Sequence, residues 1–199
     1  DPSTIAAAVI LGKVAKRAAL YETELMVPHR EPITMAVCQE ITKQAYLEAG
    51  KPDLFKEDAN FFITADQFSY TAAVDGIMLR KKPAANFFMG AYFAESLLLT
   101  ETGASTGAIQ IAGTDSDHQL PFFVTTCDYT LIGEEFFAAS AYLSGEPDQL
   151  GTLQAQDAGK LAVLAFIVIG TVVATAASLA SGAAWLGDFS ALLQKAMGG

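Results

Sequence analysis

LAVLAFIVIGTVVATAASLASGAAWL, residues 161–186, runs for 26 positions without Asp, Glu, Lys, Arg or His. About 20 apolar residues suffice to cross a bilayer core, so the segment predicts one C-terminal transmembrane helix. Gly170, Ala174, Ser178 and Gly182 recur within it every fourth residue. They form a stripe of small side chains, the arrangement that lets membrane helices approach closely and self-associate. Trp185, near the far end, suits the interfacial aromatic belt. Flanking charge is sparse: Lys160 precedes the run, and Asp188 and Lys195 follow it. So few charges do not fix an orientation by themselves; Lys160, with the reading of the thiols below, places the preceding domain in the cytoplasm, on an inner membrane. Residues 187–199 read as a short tail, with Phe189 to Met197 along the opposite membrane surface.

Outward from this anchor, residues 148–160 read as a helical connector and residues 1–147 as a soluble α/β domain. Ser3 or Thr4 can cap a helix that runs to about Tyr21. Glu24 to Val27 is a short apolar run closed by Pro28, a strand in character. Pro32 opens a second helix, which Gly50 stops. Asn60 to Thr64 is the next strand, and Asp66 caps a helix whose last turn carries Arg80, Lys81 and Lys82. A Phe-rich strand from Ala85 to Ala91 leads to a helix from about Ala94 to Thr102, with Gly103 as its stop. Ala108 to Ala112 is a fourth strand, Ser116 to Thr126 a crossover helix, and Asp128 to Ile132 a fifth strand. Glu134 to Leu143 closes the series as a helix. Strands that are apolar throughout and separated by helices predict a mostly parallel sheet covered on both faces, a Rossmann-like three-layer α/β sandwich. Because the series opens on a helix, an earlier strand upstream of Asp1 is also expected.

Composition narrows the function. The 199 residues carry a net charge of −10, which repels nucleic acid and anionic lipid surfaces alike. Cys38 and Cys127 stand singly among apolar neighbours, with no C-x-x-C spacing, and read as buried reduced thiols rather than a metal or redox pair. No metal site and no cofactor is predicted.

Ligands of open parallel sheets bind beyond the carboxyl ends of the strands. That rule selects His29 and Arg30 after the first strand, Asp66 after the second, Tyr92 and Glu95 after the third, Thr114 and Asp115 after the fourth, and Glu134 and Glu135 after the fifth. Helix capping alone accounts for Asp66, Glu95, Asp115 and the Glu134–Glu135 pair. The run Thr100 to Gly107 is rich in Gly, Ser and Thr, yet it ends a helix and enters a strand, the reverse of a phosphate loop. His118 reads as a loop residue. His29 has no Ser or Cys beside it to activate, and the nucleophile elbow G-x-S-x-G is absent.

Four blocks, QEITKQAYLEAG (39–50), PAANFFMG (83–90), AIQIAGT (108–114) and CDYTLIGEE (127–135), resemble a bacterial membrane-protein family classed as a domain of unknown function. The resemblance spans roughly Thr4 to Lys160. It implies an α/β domain joined to transmembrane helices, with a further segment upstream, and it transfers no catalytic residue. The expectation is a membrane-anchored, non-catalytic subunit that self-assembles or joins a larger membrane complex. The alternative is a tethered sensor or enzyme domain that binds a nucleotide or small metabolite at the carboxyl-edge residues.

Overall fold

The computed structural model describes residues 2–179 and 184–197. The chain divides into two units, Asp1–Glu146 and Pro147–Gly199. The first is mixed α/β: α1 (Pro2–Leu20), β1 (Val27–His29), α2 (Pro32–Glu48), β2 (Asn60–Phe62), α3 (Gln67–Lys81), β3 (Ala85–Met89), α4 (Glu95–Ser105), β4 (Ile109–Thr114), α5 (Leu120–Thr126), β5 (Tyr129–Ile132) and α6 (Glu134–Ser144). The later apolar runs each hold a strand, but the first, Glu24 to Val27, gives β1 only Val27, and the segment 116–126, whose Phe and Val residues favour a strand locally, yields the crossover helix α5. Its neighbours β4 and β5 are parallel, and a parallel pair needs a crossover.

All strand pairs are parallel, but the ladders form two sheets, β1–β2 and β3–β4–β5, where the sequence predicts one. Pro28, which the sequence reads as the residue that closes the first strand, is part of β1. It sits in the middle of that strand, opposite Phe61. In a parallel strand, successive residues direct their polar groups to opposite sides. The Ile63 N–H donates to the His29 carbonyl at 3.0 Å, so His29 faces β2 and Pro28 faces away. On that outer edge Pro28 has no N–H to offer, and its carbonyl is taken by the Tyr70 hydroxyl at 3.1 Å.

The three-stranded sheet carries helices on both faces. On one, Val74 and Met78 of α3, Leu99 of α4 and Phe123 of α5 pack over Phe88 and Ala112. On the other, Ala6 and Ile10 of α1 and Phe136 of α6 meet Met89 and Leu131. Phe123 and Phe136 are wholly buried, each stabilising the core by about 2–3 kcal/mol relative to exposure. Gly113 makes room for the second of them: a Cβ there would lie 2.7 Å from the Phe136 ring and 2.8 Å from Met89 Sδ. Farther along α1, Ala15 and Ala19 turn to Ala45 and Tyr46 of α2.

Two local expectations are corrected. Ser3 is inside α1 and buried, because Pro2 already begins the helix. Gly103 does not stop α4, which continues to Ser105; the left-handed residue after it is Gly107, at φ +78°. Gly103 is needed for space, since it lies over Asn86 and Gln110, cross-strand partners on β3 and β4.

The second unit is helical. α7 (Pro147–Leu179) runs on without interruption from the polar segment 147–160 into the apolar one. It is one helix long and apolar enough to cross a membrane, with a mean hydropathy of 2.1 in its most apolar window. Of the uncharged run 161–186, residues 161–179 belong to α7, residues 180–183 lie outside the described residues, and residues 184–186 open a further helix, α8 (Ala184–Ala196), which continues into the expected tail. α8 packs on α7, with Leu193 3.6 Å from where a Cβ on Gly170 would stand. Gly170 is half-buried beside α8, while Ala174 and Ser178 are exposed. Gly182 lies outside the described residues.

Candidate functional site

The end of β1 and the starts of α3 and α4 meet at the carboxyl edge. Arg30, the first residue past β1, reaches Glu95 at the N-terminus of α4, with Nη1 3.2 Å from Oε1. The Glu95 side chain is only 5% exposed and that of Arg30 29%. The other carboxylate oxygen accepts from the Phe93 N–H at 3.1 Å and from Gln67 Nε2. Arg30 also lies over the Phe93 ring, 6.0 Å from its centroid. A buried carboxylate is tolerated only when its lone pairs are satisfied, and Glu95 has a donor from each of three segments.

Two tyrosines adjoin this pair. Burial pushes the Tyr70 phenol up to about 12, with Arg30 opposing the shift and Glu95 adding to it. Tyr92 packs edge-on against Phe123 at 5.2 Å, and burial first, then Tyr70 and Glu95, raise its phenol well above the ordinary range. Both hydroxyls stay protonated at neutral pH, which suits hydrogen-bond donation and not proton abstraction.

His29 belongs to a separate buried network. Its Nε2 is 3.1 Å from Asn60 Oδ1; Asn60 Nδ2 donates to Thr42 Oγ1 at 3.1 Å, and the Thr42 hydroxyl donates to the Cys38 carbonyl at 2.7 Å. With the amide nitrogen so committed, Oδ1 is the acceptor and His29 Nε2 carries the proton. Desolvation lowers the His29 pKa, and the bond to Asn60 opposes it only in part.

The remaining candidates disperse along the edge. Asp66 caps α3, accepting the Ser69 N–H at 2.8 Å. Thr114 is the buried last residue of β4, not a loop residue, and its hydroxyl accepts from the Ser116 N–H at 3.1 Å. Asp115 is exposed. Glu135 accepts the Ile132 N–H at 3.2 Å, and Glu134 begins the first turn of α6. Of the nine, the structure thus joins Arg30 to Glu95, sets Tyr92 next to them and leaves the rest apart. The sequence reading missed Gln67 and Tyr70, which are neutral and sit one and four residues past the Asp66 cap; the signal was their place at a helix start on the carboxyl edge.

Chemically, this arrangement is a clamp. It holds β1 to α3 and α4 through side chains at the place where the backbone ladder stops. Among the described residues no group of three or more His, Cys, Asp or Glu is placed to hold a metal ion. Both thiols are free and burial pushes each up to about 11. A polar groove of about 500 Å³ lies elsewhere, bordered by Glu22, Glu24, Lys56 and Lys81.

Fold and edge together define a mixed α/β domain whose polar residues at the carboxyl end engage one another, in a chain that also carries a long apolar helix. The chain belongs to the family described as a domain of unknown function (DUF6754), which it matches over residues 1–184. No curated protein and no solved structure matches it.

Proposed function

We propose that the protein is a membrane-anchored, non-catalytic subunit that self-assembles or joins a larger membrane complex. The observation that carries this reading is the apolar stretch of α7. Leu161, Leu164, Ile167, Ile169 and Val172 are all more than half exposed within the chain, and they point to different sides of the helix. A helix apolar all round requires lipid or protein about it. The 19 residues from 161 to 179 span about 28 Å, close to the thickness of a bilayer core. The two free thiols, Cys38 buried and Cys127 half-buried where the sequence predicts burial, and Lys160 support an inner-membrane location with the α/β domain in the cytoplasm. Within that domain we read β1–β2 and β3–β4–β5, all parallel, as parts of one layer between helices, which makes the whole a Rossmann-like three-layer sandwich.

Self-engagement of Arg30, Gln67 and Glu95 speaks for a structural edge over a nucleotide or metabolite site. The test is the mass and composition of the particle extracted in mild detergent. Several copies, or foreign subunits in fixed ratio, are expected. A particle holding one copy alone refutes the proposal. Leu at Ala174 and Ser178, the exposed part of the small-residue stripe, is expected to reduce the particle's mass.

A further inference from the structure

Only the first half of α1 is seated on the three-stranded sheet; the second half turns its small residues to α2. Between that second half and the sheet runs a groove of about 680 Å³. Its floor includes Phe87, Ile111 and Leu131, one from each of three adjacent strands, and Leu143 of α6 borders it. Phe87 and Ile111 stand side by side in register. The groove leaves Phe87 43% exposed on a face whose other end is core.

The rim has the opposite chemistry. Lys13, Lys16 and Arg17 occupy one side of α1, at the spacing that makes helix residues neighbours. No acidic side chain is among the described residues that line the groove. Lys16 pairs with Glu48 at 3.1 Å, whereas Lys13 and Arg17 make no ion pair among the described residues. In a chain of net charge −10 this is a local inversion of sign beside an apolar slot.

We propose that the groove is a binding site for a long-chain fatty carboxylate, its acyl chain on Phe87, Ile111 and Leu131 and its headgroup at Lys13 and Arg17. The volume falls within the roughly 300–1,000 Å³ of small-molecule sites. Charge complementarity selects the occupant. A single carboxylate within the screening length, about 8–10 Å, feels chiefly Lys13 and Arg17, Lys16 being held by Glu48, while its acyl chain covers the apolar floor. The site stands apart from the carboxyl-edge clamp and does not depend on the subunit reading.

The test uses the full chain in nanodiscs of uncharged phosphatidylcholine, with a palmitate analogue carrying a mid-chain diazirine and crosslinked peptides mapped by mass spectrometry. Peptides containing Phe87 and Ile111 are expected to be labelled, to be protected by excess palmitate, and to be labelled several-fold less by the corresponding alcohol. The double variant Lys13→Glu/Arg17→Glu is expected to lower this labelling about tenfold, the effect of replacing two surface ionic contacts with repulsion. Labelling of residues 161–179, which reports bilayer partition, is expected to stay constant. Label confined to 161–179, equal labelling by acid and alcohol, or crosslinks that join two copies through the groove would each overturn the proposal. The acid–alcohol comparison is made on the unaltered chain, so it decides even if the variant folds poorly.

Discussion

Replacing Gly103 by Ala separates this structure from a reading by helix propensity. Gly103 is an interior residue of α4, and in an exposed helix the change stabilises by about 1 kcal/mol. Here the added Cβ overlaps Gln110 Oε1 and lies 2.8 Å from Asn86 Nδ2. Gln110 is 1% exposed and cannot swing clear without giving up two bonds, from Nε2 to the Thr100 carbonyl at 2.9 Å and to the Thr126 carbonyl at 2.8 Å. Losing two hydrogen bonds and stranding their buried partners costs about 2–4 kcal/mol, so about 2 kcal/mol of destabilisation remains after the propensity gain. In urea, with a slope near 2 kcal/mol/M, the midpoint read by far-ultraviolet circular dichroism should fall by about 1 M. Most of the cost should vanish in a Gln110→Ala background, where the overlap is gone. An unchanged or higher midpoint, or the same cost in both backgrounds, would refute the reasoning.

Three further outcomes are expected. Glu95→Ala strands Arg30, Gln67 and the Phe93 N–H; partial exposure of Arg30 softens the loss to about 2 kcal/mol, read as a lower urea midpoint, and no shift would show the clamp to be ornamental. The His29 pKa is lowered in the folded state, so the unfolded chain binds the extra proton first: stability attached to His29 is present above its ordinary pKa of 6.5 and lost as pH falls below it. His29→Gln should flatten that part of the stability–pH curve, and an unchanged curve would count against the assignment. With both thiols raised from 9.0 to about 11, the thiolate fraction at pH 8 drops about 100-fold, and alkylation of the native chain by iodoacetamide should slow at least that much relative to the urea-unfolded chain.

Much of this follows from local pattern. The strands after the first are apolar runs bounded by turn residues, whereas β1 lies past its run, at Val27–His29; the α3 cap is readable from Asp66 with the basic turn at Arg80 and Lys81. What escapes is everything set by partners distant in sequence. Pro28 reads as a stop because its role depends on which edge of β1 it faces. Gly103 reads as a terminator because the side chains beneath it, Asn86 and Gln110, become neighbours only through strand register. Arg30 and Glu95 were both found by the carboxyl-edge rule, but that they would satisfy each other across 65 residues was not. That Leu193 of α8 would come to lie beside Gly170 of α7 is likewise invisible to hydropathy.

The separation of the strands into two ladders gives the α/β unit two mechanical halves. Of its strands β4 has hydrogen-bonded neighbours on both sides, whereas β1 and β2 hold only each other, through three residue pairs. Local opening therefore costs less in the lobe of β1, β2 and α2, and a load drawn along the chain would peel that lobe away before it disturbed the other sheet. Amide exchange resolved by residue would display the division as two tiers of protection, with β4 in the slower.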